Sequence, residues 1–325
     1  MSERHVPVLL QQAIQFLNVR PGGVYVDATL GFAGHAGEIA RRLGAKGRLI
    51  CFDRDPEAME LAKTKLARLG EEPGAEMPEV VFHDVEFSQA GALIEAGSVD
   101  GLLADFGASS MHFDEAQRGF SFQAEGPLDM RMNPRQGPTA AQVVNQIGEK
   151  ELADLIYEFG EERRSRRIAR AIVRARPITT TAELARVVAA AARTMKSEKI
   201  HPATRTFQAL RIYVNAELEE IDALLKAAPG LLKPGGRLVV ISFHSLEDRR
   251  AKDALREGAQ QGMYEVLTRK PVTADAEEMD RNPRARSAKL RAAEKVRQGS
   301  RKKEIVRQAK VNRTGNRNSI QEAAI

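Results

Sequence analysis

Four acidic residues fall at the ends of four short apolar runs. Asp27 closes Val24-Tyr25-Val26, Asp53 closes Leu49-Ile50-Cys51-Phe52, Asp84 follows Val80-Val81-Phe82-His83, and Asp105 closes Leu102-Leu103-Ala104. A carboxylate at the carboxyl end of a strand faces the crevice in which open α/β sheets hold their ligands. One such Asp is ordinarily a solvated loop residue, but four in register favour a site. Asp27 leads into the small-residue turn Ala28-Thr29-Leu30-Gly31-Phe32-Ala33-Gly34-His35, which brings backbone N–H groups close to a ligand. Asp53 stands 22 residues beyond Gly31, where a carboxylate takes the ribose hydroxyls of an adenosine-type ligand.

The ligand class divides the readings. A dinucleotide site wants three close glycines so that a pyrophosphate can sit on the helix N-terminus. Here Asp27 lies just upstream of a Gly-Phe-Ala-Gly core; its charge repels pyrophosphate and suits the sulfonium and amino group of S-adenosylmethionine. The methyl donor is therefore favoured over NAD, and an NAD-dependent oxidoreductase stands as the competing enzyme class. A non-catalytic RNA-binding assembly factor would explain the basic charge described below but not the acidic strand ends.

The elements that must carry these residues alternate in the manner of a parallel sheet with crossover helices. Strands are predicted at 24–29, 48–53, 80–83 and 101–105, with helical segments at 34–43, 56–69 and 88–96. From about His112 to Asn215 no strand pattern occurs, only helical stretches rich in Ala, Leu, Arg and Glu. The Lys233-Pro234-Gly235-Gly236 turn then opens another apolar run ending at Phe243-His244, and further strands at 264–269 and 287–293 are placed to pair antiparallel at the sheet edge. The fold class is accordingly α/β, a Rossmann-like, mostly parallel seven-stranded sheet. It is read as one discontinuous domain, 1–112 and 215–297, interrupted by an all-α insertion at 113–214. A basic tail, 298–325, is read as disordered.

Charge supplies the partner class. The net +6 is concentrated at the end of the chain, where Lys and Arg residues after Val296 face only Glu304 and Glu322. A second concentration runs from Arg163 to Arg176, and its members Arg163, Arg167, Arg170 and Arg174 recur on one helix face opposite Ile168 and Ile172. Such a stripe neutralises phosphates, with Arg205 and Arg211 read as extending it; the plainer reading is a solvated helix face. The single Cys51 excludes a disulfide framework, and the six scattered His residues show no metal-ligand spacing. No apolar run approaches the roughly 20 residues of a membrane span and the start lacks a leader pattern, so a cytoplasmic protein without a membrane partner is expected.

Longer motifs sharpen this reading. The turn Asp27 to His35, Asp105-Phe106-Gly107-Ala108-Ser109-Ser110, Arg118-Gly119-Phe120-Ser121-Phe122, Gly126-Pro127-Leu128-Asp129-Met130-Arg131-Met132, His201-Pro202-Ala203-Thr204-Arg205-Thr206-Phe207-Gln208-Ala209, Ile241-Ser242-Phe243-His244-Ser245-Leu246-Glu247-Asp248 and Asn282-Pro283-Arg284-Ala285-Arg286-Ser287 closely resemble the bacterial MraW/RsmH family. The resemblance runs in order from about His5 to Glu294. It implies a class I methyltransferase that methylates the exocyclic N4 of a cytosine in the decoding region of small-subunit ribosomal RNA, naked or within the 30S particle. A homodimer is left open.

By the same resemblance, Ala33, Gly34 and His35 hold S-adenosylmethionine through the turn, Asp53 its ribose and Phe87 its adenine, with Asp105 and His112 near the methionine end. Ala33 stands where a second Gly is usual, which requires a negative φ. His112 stands where Gln is frequent. Asp105 is the catalytic candidate, as acceptor of the N4 proton or as a donor-binding carboxylate, with Ser109, Ser110 and His244 as further candidates. Phe120 and Phe122 are candidates for stacking a cytosine flipped out of its helix; core packing is the competing reading for both.

Overall fold

The computed structural model describes residues 7–192 and 200–297; the expected disordered tail lies outside them. In chain order the elements are α1 (Leu10–Leu17), β1 (Val24–Asp27), α2 (Gly34–Leu43), β2 (Arg48–Phe52), α3 (Pro56–Gly70), β3 (Glu79–His83), α4 (Ala90–Leu93), β4 (Val99–Asp105) and α5 (Ser110–Asp114). There follow α6 (Ala140–Gln146), α7 (Glu149–Gly160), α8 (Ser165–Ala175), α9 (Thr181–Ala192), α10 (Ala203–Val214) and α11 (Glu217–Leu231). The chain closes with β5 (Leu232–Ser242), α12 (Ser245–Gln260), β6 (Tyr264–Val266), α13 (Ala276–Arg281) and β7 (Lys289–Lys295).

The seven strands form one sheet in the order β3-β2-β1-β4-β5-β7-β6. The first five are parallel, and β7 runs antiparallel to both β5 and β6. This is a Rossmann-like α/β fold, and its order reverses beside β1, where β1 is flanked by β2 and β4. Alternate residues of each strand feed opposite cores, as a period of two requires. Leu49 and Cys51 face α1, α2 and α3, while Ile50 and Phe52 face the side packed by α11 and α12. A third apolar cluster, from Leu128 to Leu210, joins α6 to α10 and includes Ile168 and Ile172, the buried side of α8. No named strand lies between β4 and β5 among the described residues.

Several elements differ from the sequence reading, among them α1 and α13, for which no helix is predicted, and β6, which ends at Val266 rather than at 269. The segment 88–96 holds only a short 3-10 turn and α4. The strand placed at 287–293 starts two residues later, because Asn282 caps a 3-10 turn at Pro283–Ser287 by accepting the N–H of Arg284 at 3.2 Å. No helix among the described residues is long and apolar enough to cross a membrane.

Candidate active site at the carboxyl edge of the sheet

The turn after β1 is stitched to its neighbours by backbone bonds. The N–H of Ala28 donates to the Leu103 carbonyl at 2.8 Å and that of Leu30 to Phe52 at 2.9 Å. Gly31, at φ +49, donates its N–H to Asp53 Oδ2 at 2.8 Å. That bond ties the turn to the end of β2 and, with the N–H of Asp55 on Oδ1 at 2.9 Å, orients the Asp53 carboxylate. Gly34 opens α2 where a Cβ would run into Pro7.

Ala33 departs from expectation: its φ is +52, not negative. The left-handed conformation costs an L-residue about 1–2 kcal/mol, but the Ala33 methyl is fully buried in the apolar cluster beneath α2, which offsets about 0.8 kcal/mol. Its N–H closes the turn on the Leu30 carbonyl at 2.7 Å. Ala33 thus shapes the turn from below and does not line the cavity.

That cavity, of 490 Å³, lies over the carboxyl ends of β1, β2, β4 and β5, within the usual range for small-molecule sites. Gly31, Gly34, His35, Asp53, Phe87, Asp105, Ser109 and His112 all line it. Its most unusual group is Asp105. The side chain keeps 24 % of its surface, yet Oδ1 is buried with no hydrogen-bond partner; Oδ2 lies 3.7 Å from Nδ1 of His35. His35 is in turn fixed by Nε2, 3.1 Å from the Val8 carbonyl, to which it donates. Burial pushes the Asp105 carboxyl well above the carboxylate range, and the charges of Asp27 and Glu247 push the same way. Burial likewise raises Asp53, against the N–H groups of Asp55 and Gly31.

Asp27 sits behind this wall, fully buried, with Oδ1 accepting the Thr29 N–H at 3.1 Å and Oδ2 unpartnered. Burial first, then the charge of Asp53, pushes it from 3.8 up to about 7. The folded state therefore binds this proton more tightly than the unfolded chain, and the group's contribution falls as pH rises from about 4 to about 7, by about 1.4 kcal/mol for each pH unit crossed. Asp27→Asn keeps an acceptor for Thr29 and carries no charge. Its melting temperature is expected to hold up better than the parent's between pH 5 and pH 8; parallel declines would refute the assignment.

A sequence profile of the MraW methylase family matches residues 2–296. The chain belongs to that family. A protein of Acidobacterium capsulatum named ribosomal RNA small subunit methyltransferase H is 78 % identical over 293 residues, covering 90 % of this chain and 99 % of that one. Its namesake in Koribacter versatilis is 60 % identical over 291 residues, 89 % of this chain and 93 % of that one. Among solved structures, a SAM-dependent O-methyltransferase from Thermotoga maritima aligns with a TM-score of 0.41 at 12 % identity over 90 % of this chain and 68 % of that one, too distant a likeness to carry an argument.

The donor of this MraW methylase is S-adenosylmethionine, and the residues present fit it. The glycine turn gives backbone access, Asp53 is an oriented acceptor, and the unpartnered Asp105 Oδ1 suits a cationic ligand.

The other sequence candidates are divided between the cavity wall, the interior and the surface. Both nitrogens of His112 are engaged: Nδ1 accepts the Ser109 N–H at 3.1 Å, so Nε2 carries the proton and donates to Asp55 at 2.7 Å. Only its ring is left to border the cavity. Phe120 is buried and stacked on His112 at 4.7 Å, so its face is already covered. Phe122 packs against His201 and Phe207 in the helical cluster. Neither lines the cavity, although their neighbours Ser121 and Gln123 do. His244 caps the base of α12, 3.0 Å from Glu247 and away from the cavity lining. Ser110 begins α5. Arg163, Arg167, Arg170 and Arg174 are exposed, Arg170 pairing with Glu149 at 3.3 Å. Sequence reasoning missed Arg54, Phe113, Phe243 and Arg284, which line the cavity from four separate segments, and no periodicity or spacing marks them.

Proposed function

We propose that this methylase transfers the methyl group of S-adenosylmethionine to the exocyclic N4 of a cytosine in the decoding region of small-subunit ribosomal RNA, as a cytoplasmic enzyme. The observation that carries this reading is the orphaned, buried oxygen of Asp105 in a cavity at the end of β4. The names of the two relatives support the substrate.

In this reading Gly34 and His35 hold the donor at the turn, Asp53 accepts its ribose hydroxyls, Phe87 lies against its adenine, and His112 borders the methionine end. The bound donor supplies an electrophilic methyl on a cationic sulfur. The remaining work is alignment and water exclusion, and an answer to the weakness of the nucleophile. The N4 lone pair is delocalised into the ring; an acceptor that takes an N4 hydrogen localises it and receives the proton as nitrogen becomes positive. Asp105 Oδ1 has that capacity, with Ser109 at the N-cap of α5 and Ser110 at its first position as further acceptors. A nearby cation lowers the raised Asp105 pKa, so donor binding prepares the carboxylate to accept.

A base reaching this depth must leave its stack. With Phe120 and Phe122 enclosed, Phe113 of α5 and Phe243, which follows β5, are rings that line the cavity. The helical segment 113–214 serves RNA recognition, with the exposed Arg stripe and Arg205 contacting phosphates, on naked RNA or on the 30S particle. Arg163→Glu with Arg167→Glu and Arg174→Glu is expected to weaken binding to all RNA sequences alike and to lower the salt slope by about 3. An unchanged slope in a filter-binding titration removes the stripe from the interface.

The decisive experiment is mass spectrometry of nucleosides from small-subunit RNA of cells lacking the gene, before and after treatment with protein and donor. Loss and restoration of N4-methylcytosine is the expected result. Restored methyl on another base or atom overturns the acceptor assignment.

A further inference from the structure

The sequence pattern set Arg211 beside Arg205 on a phosphate-binding stripe; the structure separates them. Arg205 is 46 % exposed and lies 3.7 Å from Glu162. Arg211 keeps 12 % of its side-chain surface and lines the cavity. One edge of its guanidinium is spent on Glu217, Nε to Oε1 at 2.8 Å and Nη2 to Oε2 at 2.9 Å. That fork fixes the plane of the group. The remaining nitrogen, Nη1, has no hydrogen-bond partner among the described residues.

Its position along the sheet edge tells which half of the reaction it serves. Nη2 is 4.0 Å from Glu247 Oε1, and that oxygen lies 3.6 Å from where a Cβ on Gly107 would stand, two residues past Asp105. The turn and Asp53 follow β1 and β2, whereas Asp105 ends β4, Gly107 lies two residues beyond it and Phe243 follows β5. Arg211 is thus on the acceptor side. A side chain sunk among buried carboxylates is poorly placed for a phosphate on the RNA exterior and well placed for a base that has been flipped in.

We infer that Arg211 reads the acceptor base, its Nη1 donating to the N3 and O2 edge of a cytosine whose amine is presented to Asp105. This rests on the proposed cytosine substrate. Cytosine offers acceptors at N3 and O2 beside its amine, while uracil offers an N–H at N3 that opposes a guanidinium donor. Hydrogen bonds to this edge draw electrons from the ring and do not speed attack by N4. The contribution of Arg211 therefore lies in binding and selection. Glu247, fully buried and accepting the N–H groups of Phe243 and His244 at 2.7 and 3.2 Å, flanks the guanidinium and positions it.

The test compares a short small-subunit RNA hairpin carrying the target cytosine with one carrying uracil there, each bound to protein saturated with S-adenosylhomocysteine and read by fluorescence anisotropy. The unaltered protein is expected to prefer cytosine by about tenfold. Arg211→Met is expected to bind the two hairpins within about twofold while its S-adenosylhomocysteine affinity, measured by calorimetry, stays near the parent's. Where Met disturbs the α10–α11 junction and abolishes that affinity, Arg211→Lys, which keeps the charge against Glu217 and loses the fork, is read in the same way. In steady state KM for RNA rises and kcat changes little. A cytosine preference that persists in a folded variant, its absence from the unaltered protein, or a collapse of kcat at unchanged KM overturns the inference. Nucleoside analysis of the unaltered reaction judges the base separately: methyl on another base sinks the proposed substrate, whatever the Arg211 variants do to hairpin preference.

Discussion

Asp105→Asn is expected to lower kcat at saturating donor by about 10²-fold or more. The amide preserves size and can still accept a hydrogen bond through its oxygen, but it cannot take a proton from the attacking amine. Two roles compete for this carboxylate, and the split between rate and binding separates them. A residue that only attracts the sulfonium would, when neutralised, raise the donor KM and leave kcat intact. A proton acceptor loses kcat with the donor site full. The pH profile gives a second readout. Burial and the neighbouring Asp27 and Glu247 push the carboxyl well above the usual range, so the parent's rate is expected to climb with pH through the ionisation of Asp105 in the donor complex, and the Asn variant to lack that limb. Retention of kcat in Asp105→Asn, at saturating donor and with the same pH limb, removes Asp105 from the chemistry.

The strand ends that hold Asp105 and its partners were legible because they depend on short-range pattern. The apolar runs before Asp27, Asp53 and Asp105 become β1, β2 and β4 within a residue or two, and the antiparallel edge of β6 and β7 follows from two strands with only the 6-residue α13 and a 3-10 turn between them, too short for a crossover. What escaped the sequence depends on neighbours distant in the chain. Arg205 and Arg211 belong to the same helix and are the same residue type, and only packing against α11, through Glu217, decides that one is exposed and the other lines the cavity. Phe120 fits a base-stacking loop until His112 is found against its face. His244 follows β5 closely enough to suggest chemistry, but Glu247, three residues on, turns it toward α12. At Ala33 a steric rule pointed to negative φ; burial of its methyl under α2 outweighs much of the local cost of breaking that rule.

The second large effect is expected at Asp55, the residue immediately before Pro56. It caps α3, Oδ1 accepting the Glu57 N–H at 3.0 Å. Its other oxygen accepts from His112 Nε2 at 2.7 Å and Arg118 Nη2 at 2.8 Å, and Asp55 is only 1 % exposed. Arg118 continues to the Met132 carbonyl at 2.9 Å. One carboxylate thus clamps the loop after β2, the cavity-lining α5 and the first turns of the helical segment. Burial works against the charged form, but His112 and Arg118 outweigh it and hold Asp55 below the usual range. A depressed pKa contributes stability that is fully present above the unfolded value and lost only as pH falls through the folded one, so the whole contribution stands at neutral pH. Removing one partner of a buried ion pair costs about 3–5 kcal/mol. Arg118 retains Glu57 at 3.3 Å and its carbonyl partners, which favours the low end. Asp55→Ala is expected to lose about 3 kcal/mol in urea unfolding at pH 7, and Asp55→Asn a comparable amount, because its single amide oxygen can keep the Glu57 cap only by turning its NH2 toward the donors His112 Nε2 and Arg118 Nη2. Loosening α5 also frees Ser109, whose N–H is held by His112, so methyl transfer should fall in both variants below their unfolding transitions. An Ala variant within about 0.5 kcal/mol of the parent would mean that the three segments are held together by their apolar contacts alone, and that the charge at Asp55 serves only the first turn of α3.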